Sequence, residues 1–176
     1  MWCITERLYL GNYWSGEQAL RGAKFPVPPT GNNEPCAGVV SLCPMPLGTE
    51  TLLGPACSIT EWLHMPIADG GRGEDEFACS LQLCLPFVAA RRHVGNVLIH
   101  CAAGMSRSVS VVAAVLCADD PNLDVDEAYR SIARAKAAAI GAPPEDEDLV
   151  VAPAWEFRCH LRRRFAEPGR GANGRP

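Results

Sequence analysis

Cys101 and Arg107 sit in one short stretch, His100-Cys101-Ala102-Ala103-Gly104-Met105-Ser106-Arg107-Ser108, that carries more chemistry than any other part of the chain. The apolar run Asn96-Val97-Leu98-Ile99 leads into it, and Val109-Ser110-Val111-Val112-Ala113-Ala114-Val115-Leu116 leads out. Strand, tight loop and helix in that order put a thiol at the mouth of backbone N–H groups at a helix N-terminus, a site for a phosphate dianion. The same N–H groups and the helix dipole favour the thiolate, and Arg107 can curl back to fork two phosphate oxygens. Nucleophile and anion clamp then share one loop. The alternative is a buried structural cysteine beside a solvated first-turn arginine, but strand, loop and helix all fall where a phosphate site requires them.

The pattern His-Cys-x5-Arg-Ser resembles the signature of the cysteine-dependent protein phosphatases, and its letters are most similar to the dual-specificity branch of the protein tyrosine phosphatase superfamily. Ile4-Thr5-Glu6-Arg7-Leu8-Tyr9-Leu10-Gly11 resembles the opening strand of that branch. The resemblance implies an α/β fold: a central, mostly parallel twisted sheet of about four to five strands flanked by helices. It implies hydrolysis of phosphate monoesters on protein phosphotyrosine and phosphoserine/threonine through a cysteinyl-phosphate, with no cofactor and no metal. The backbone of Ala102, Ala103, Gly104, Met105, Ser106 and Arg107 would hold the substrate phosphate. Ser108 would hydrogen-bond the Cys101 sulfur and improve it as a leaving group; otherwise it is a first-turn serine bonded to backbone. His100 is expected to order the loop through hydrogen bonds to backbone rather than to act as a base, because adjacent strand residues point to opposite faces.

A proton donor for the departing oxygen must come from another segment. Asp69 is the first candidate: it follows Met65-Pro66-Ile67-Ala68, and relatives of the signature place an aspartate in such a loop as general acid and then base. Gly70, Gly71 and Gly73 would let that loop close. The Asp-Gly pair also suits a plain turn, and Asp75 is the rival acid, with Glu74 and Glu76 behind it. One departure stands out. The family commonly braces its phosphate loop with an Asn-Pro-Asn-like segment before the last helix, whereas Ala152-Pro153-Ala154-Trp155 follows a long acidic insertion here, so the brace is expected to be missing or replaced.

The chain's 176 residues suit one domain, expected over residues 1–166, with a disordered tail at 167–176. A net charge of −4 gives no nucleic-acid footprint and weighs against the RNA 5′-phosphatases that share the signature. A phosphoinositide phosphatase would be expected to carry lysines where Ala102, Ala103 and Met105 stand. Intact Cys101, Arg107 and Asp69 weigh against a phosphoprotein-binding pseudophosphatase, and rhodanese-like sulfur transfer lacks the His-Cys-x5-Arg-Ser context. The expected partners are phosphorylated proteins, not nucleic acid and not membrane. Nine cysteines, an odd number without CxxC spacing or a secretory leader, imply a reducing, intracellular setting, cytoplasmic or nuclear. Cys3, Cys36, Cys43, Cys57, Cys79, Cys84, Cys117 and Cys159 read as core or surface residues, and His64, His93, His100 and His160 lack metal-ligand spacing.

Around the signature, Ala37 to Leu42 reads as a second core strand, and Val97 to Ile99 as a central strand covered on both faces. The intervening connections, 22–36 and 44–55, are rich in proline and glycine. Glu74 to Arg92 reads as a helix with Phe77, Leu81 and Val88 on one side, kinked or interrupted at Pro86. Arg107 to Ala118 should be a buried helix. Asp124-Val125-Asp126-Glu127 predicts a capping box opening a helix to about Ala139. An acidic loop at 141–148 and a last helix, Trp155 to Phe165, complete the chain; the basic C-terminal end of that helix suits its dipole and reads as a solvated helix end rather than a partner-binding patch.

Overall fold

The computed structural model describes residues 1–22, 25, 36–44, 60–70, 73–143, 146 and 149–166. Most of the two proline- and glycine-rich connections, Cys57, Gly71, part of the acidic loop and the tail at 167–176 lie outside the described residues.

Among the described residues five strands form one sheet: β1 (Trp2–Thr5), β2 (Leu8–Gly11), β3 (Cys36–Ser41), β4 (Glu61–His64) and β5 (Asn96–His100), in the order β1-β2-β5-β3-β4. Only β1 and β2 are antiparallel; β5 runs parallel to both β2 and β3, and β4 parallel to β3. The single opening strand expected over Ile4 to Gly11 is instead a hairpin. Its turn passes through Glu6 and Arg7, with Arg7 in the left-handed region at φ 60°. The alternation read as one strand is two short ones meeting at that turn.

The helices are α1 (Tyr13–Leu20), α2 (Glu74–Arg92), α3 (Arg107–Asp119), α4 (Val125–Ile140) and α5 (Trp155–Arg164). Side-chain alternation along β5 divides the core between the two faces of the sheet. Val97 and Ile99 join Leu8, Leu10 and Val40 against α2 to α5, while Leu98 joins Tyr9, Val39 and Leu20 of α1 on the other face. All five residues of β5 are buried, as a central strand covered on both sides requires. Burying each of Val97, Leu98 and Ile99 is worth roughly 1.5–3 kcal/mol.

Three local expectations are corrected. Helix α2 runs unbroken through Pro86: the proline removes one hydrogen bond, but Phe77, Leu81, Cys84 and Val88 are buried on both sides of it and keep the helix on the core. Asp124 does cap α4, accepting from the N–H groups of Asp126 at 2.8 Å and Glu127 at 3.3 Å. Glu127 does not complete the box; its carboxylate bonds Arg130 at 2.8 Å and Arg134 at 2.5 Å. The basic end of α5 is not simply solvated either, because Arg158 and Arg162 reach Asp126 of α4 and Arg163 reaches Glu74 of α2. Helix α1 carried no apolar period long enough to be read in the sequence. Its start is set by Asn12, whose side chain accepts from Ser15 N at 3.0 Å. Among the described residues no helix is long and apolar enough to cross a membrane.

Helix α5 closes the core over α2 and α3 through Phe157, fully buried and stacked on Phe77 at 4.5 Å between centroids. Phe157→Ala should lower stability by about 3–5 kcal/mol, the usual loss for a buried phenylalanine. Denaturant unfolding measures it, and a loss below about 1 kcal/mol would mean that α5 is not part of the cooperative core.

Candidate active site

The C-terminal ends of β2, β5 and β3 lie side by side, and the loop leaving β5 is the signature stretch. Four of its carbonyl oxygens are taken up by different parts of the molecule. His100 O accepts from Leu42 N at 2.9 Å, Ala102 O from Tyr13 N of α1 at 3.0 Å, and Met105 O from Ala152 N at 2.8 Å. Gly104 O accepts from Lys136 Nζ of α4 at 2.8 Å. No described peptide is cis, so each C=O points opposite to the N–H of the following residue. Tying the carbonyls of Ala102, Gly104 and Met105 to three surrounding elements therefore turns the N–H groups of Ala103, Met105 and Ser106 inward.

The loop can bend this tightly because Gly104 takes φ +69°. A Cβ there would stand 2.8 Å from Gly11 O and 2.7 Å from the Trp2 ring. Its N–H donates to Cys101 Sγ at 3.3 Å, and Ser108 Oγ lies 3.1 Å from the same sulfur. Burial pushes the Cys101 thiol up. The Ser108 hydroxyl and backbone, the Gly104 N–H and the Arg107 charge outweigh that, leaving the thiol below its ordinary value. Other buried thiols go the opposite way: burial raises Cys43 to about 11, with the charge of Cys101 adding to it, and raises Cys84 to about 12.

Arg107 is buried and curls back over the loop, as its place at the start of α3 allowed. Its Nη1 donates to Ile67 O at 3.0 Å and its Nη2 to Asp69 Oδ2 at 3.1 Å. Its Nε, also buried, has no hydrogen-bond partner among the described residues. A buried guanidinium N–H with nothing to donate to is costly, and an anion in the loop would satisfy it. Asp69 itself is 71% exposed, at the rim.

Of the four acidic candidates, Asp69 alone contacts Arg107. Glu76 Oε2 accepts from Ala68 N at 2.8 Å and so shapes the Asp69 loop from below, while Glu74 pairs with Arg163 of α5. Asp75 is exposed in the first turn of α2.

The His100 ring bonds the Ser41 hydroxyl, a side-chain partner on β3 that the expectation of backbone bonding did not include, with Nε2 at 2.6 Å from Oγ, and Trp62 Nε1 donates to the same oxygen at 2.8 Å. Nδ1 makes no hydrogen bond among the described residues. Burial drives His100 down to about 4, against the pull of the Cys101 backbone, so it is neutral at physiological pH and unsuited to act as a base. Helix α1 packs flat on the imidazole: a Cβ on Gly16 would fall 2.1 Å from Nε2.

The missing brace proves to be a replaced one. The backbone of Ala152 bonds Met105 O, and Ala154 N donates to Ser106 Oγ at 3.1 Å, so this segment holds the loop without asparagine side chains. Lys136 and Tyr13, neither evident from the sequence, provide two further ties beside that of Leu42.

No protein-family profile matches the chain, and no curated protein sequence matches it. Solved structures do. Human DUSP28 is similar with a TM-score of 0.62 at 20% identity, covering 93% of this chain and 94% of its own. DUSP15 gives 0.62 at 22% identity, over 94% of this chain and 86% of its own. The PTP-2 phosphatase of Cydia pomonella gives 0.65 at 19% identity, over 92% and 88%. The chain has the fold of the dual-specificity phosphatases within the protein tyrosine phosphatase superfamily.

The hydrogen bonds at Cys101 generate a prediction about pH. The thiolate of Cys101, followed by its ultraviolet absorbance against Cys101→Ala, should persist to a lower pH than an ordinary cysteine and disappear as the pH falls through that depressed value. Ser108→Ala should move the midpoint upward. An unmoved midpoint would mean that the hydroxyl does not stabilise the thiolate.

Proposed function

We propose that the chain is a cysteine-dependent protein phosphatase that hydrolyses phosphate monoesters of tyrosine and of serine or threonine. The observation that carries this reading is the convergence on one loop of a thiol lowered in pKa, inward-turned N–H groups and a buried guanidinium N–H with no partner among the described residues. A dianion with three equatorial oxygens matches that donor set, and a phosphorus held there faces the sulfur.

In this mechanism the substrate phosphate takes over donors of Arg107, including the one that Asp69 now occupies, and leaves Asp69 above the ester oxygen. The Cys101 thiolate attacks phosphorus in line, an S–P bond forms and the P–O ester bond breaks. Asp69, entering as the protonated acid, gives its proton to the departing alkoxide or phenolate. The resulting carboxylate then takes a proton from water as the water oxygen attacks phosphorus. The S–P bond breaks, inorganic phosphate leaves, and Ser108 stabilises the returning thiolate. Arg107 and the N–H groups neutralise the transferring group throughout, so the scheme calls on no metal ion.

The exposed rim supports a broad substrate range. Ala102 and Ala103 are exposed and carry no side chain that would wall the cleft, and Asp69 is open to solvent. A shallow site lets the short phosphothreonine ester reach the sulfur as well as the longer phosphotyrosine. We assign the catalytic domain to residues 1–166 and its setting to the reducing interior of the cell, where Cys101 stays a thiol.

Cys101→Ser should abolish release of phosphate from an aryl phosphate while leaving the fold intact, and a chelator should leave the wild-type rate unchanged. Asp69→Ala should reduce turnover by about 10²–10⁴-fold, less for activated leaving groups that need no proton. If Asp75→Ala shows that leaving-group dependence and Asp69→Ala does not, the acid is Asp75. Matched phosphotyrosine and phosphothreonine peptides should both be cleaved; strict selectivity for one, or activity confined to RNA 5′-phosphates, would contradict the substrate class.

A further inference from the structure

Lys136 is a lysine in the wrong place for an ordinary helix surface. It is 4% exposed on α4, a helix whose other buried residues, such as Ala128, Ile132 and Ala133, are mostly apolar. Burying an ammonium is costly unless each donor is used. Here Nζ donates to Gly104 O at 2.8 Å and to Val150 O at 2.7 Å, and it lies 4.3 Å from the centroid of the Trp2 ring. One side chain thus joins the phosphate loop, the segment leading to α5 and β1.

We propose that Lys136 is a positioning residue of the phosphate loop, which acts by turning and polarising the Gly104–Met105 peptide so that Met105 N–H is presented to the bound phosphate. The inference rests on the phosphatase reading of the loop. Its physical basis is the trans peptide plane. An ammonium on Gly104 O draws electron density toward the carbonyl, which leaves the N–H on the opposite end a stronger donor. It also adds a positive charge behind the loop without placing a side chain inside it, where it would block the ester. Charge linkage runs in the same direction: burial favours the neutral amine of Lys136, and the Cys101 thiolate favours its charged form. By reciprocity, the charged lysine favours the thiolate.

The role is distinct from that of Ala152 and Ala154, which hold the same loop through neutral backbone groups. A tie that only held shape would be replaceable by any donor of similar reach. A polarising one requires the charge.

The experiment compares wild type, Lys136→Gln, which keeps a donor without the charge, and Lys136→Arg, which keeps the charge. Orthovanadate is the phosphate-like probe, and thiolate absorbance gives the Cys101 midpoint. In Lys136→Gln, vanadate affinity should fall by about tenfold or more, the weight of one hydrogen bond to a charged group. The Cys101 midpoint should rise, and thermal melting should stay close to wild type. Lys136→Arg should recover most of both. Wild-type binding and titration in Lys136→Gln would overturn the proposal, as would equal impairment of Gln and Arg variants in step with lost stability. A second measurement leaves Lys136 in place: its ammonium should lose its proton at lower pH in Cys101→Ala than in wild type, and identical titrations would overturn the coupling. If wild type itself neither binds vanadate nor releases phosphate, the phosphatase reading fails; if it does both and Lys136→Gln matches it, only the role of Lys136 fails.

Discussion

Everything at the site depends on where the carbonyl oxygens of residues 100–105 go. A tight loop of trans peptides must send C=O and N–H groups in opposite directions, and a loop left to itself would let both find water. Here the carbonyls of His100, Ala102, Gly104 and Met105 are claimed by β3's end, α1, α4 and the segment before α5. The inward N–H groups are what remains. Their positive potential, with Ser108 and Arg107, is what makes a thiolate tolerable at a cysteine that is 2% exposed.

The sheet explains why those four anchors meet. Parallel strands β2, β5 and β3 end on the same edge, so the segments that follow them rise around one point, as ligand sites at the carboxyl ends of open α/β sheets do. The central strand β5 delivers Cys101, β2 delivers Tyr13 through Asn12, and β3 delivers Leu42. His100 ends β5 facing α1, locked by Ser41, Trp62 and the flat approach of Gly16. Its neighbour Cys101 faces the other way into the loop. The alternation of a strand separates a neutral histidine from a thiol held below its ordinary pKa one residue away.

The grouping of Cys101, Arg107 and Ser108 was legible in the sequence because it is local: nine contiguous residues bend into one loop, where the Ser108 hydroxyl and the Gly104 N–H meet the Cys101 sulfur. Buried strand β5 and helix α3 were legible because continuous apolar runs have few other places to go. What the sequence hid were long-range ties. Lys136 looks like any helix lysine until Gly104 O and Val150 O lie beside it, and Tyr13 and Ala152 contribute only backbone N–H groups, which no side-chain pattern announces. The hairpin at Arg7 was missed because a left-handed arginine breaks the rule that such turns carry glycine. Pro86 does not interrupt α2 because packing on both sides of it outweighs one lost hydrogen bond. The brace before α5 was judged by its missing asparagines, whereas backbone and Ser106 do that work.

The central claim is that backbone N–H groups turned inward by outward carbonyl ties form the phosphate cradle. The most direct test is a titration of the protein with orthovanadate, followed through its backbone amide resonances. The account predicts that the N–H signals of Ala103, Met105 and Ser106 move downfield together and saturate with one dissociation constant, along with the Arg107 Nε–H. Saturable binding that leaves those signals in place, or moves amides elsewhere in the sheet instead, would contradict it.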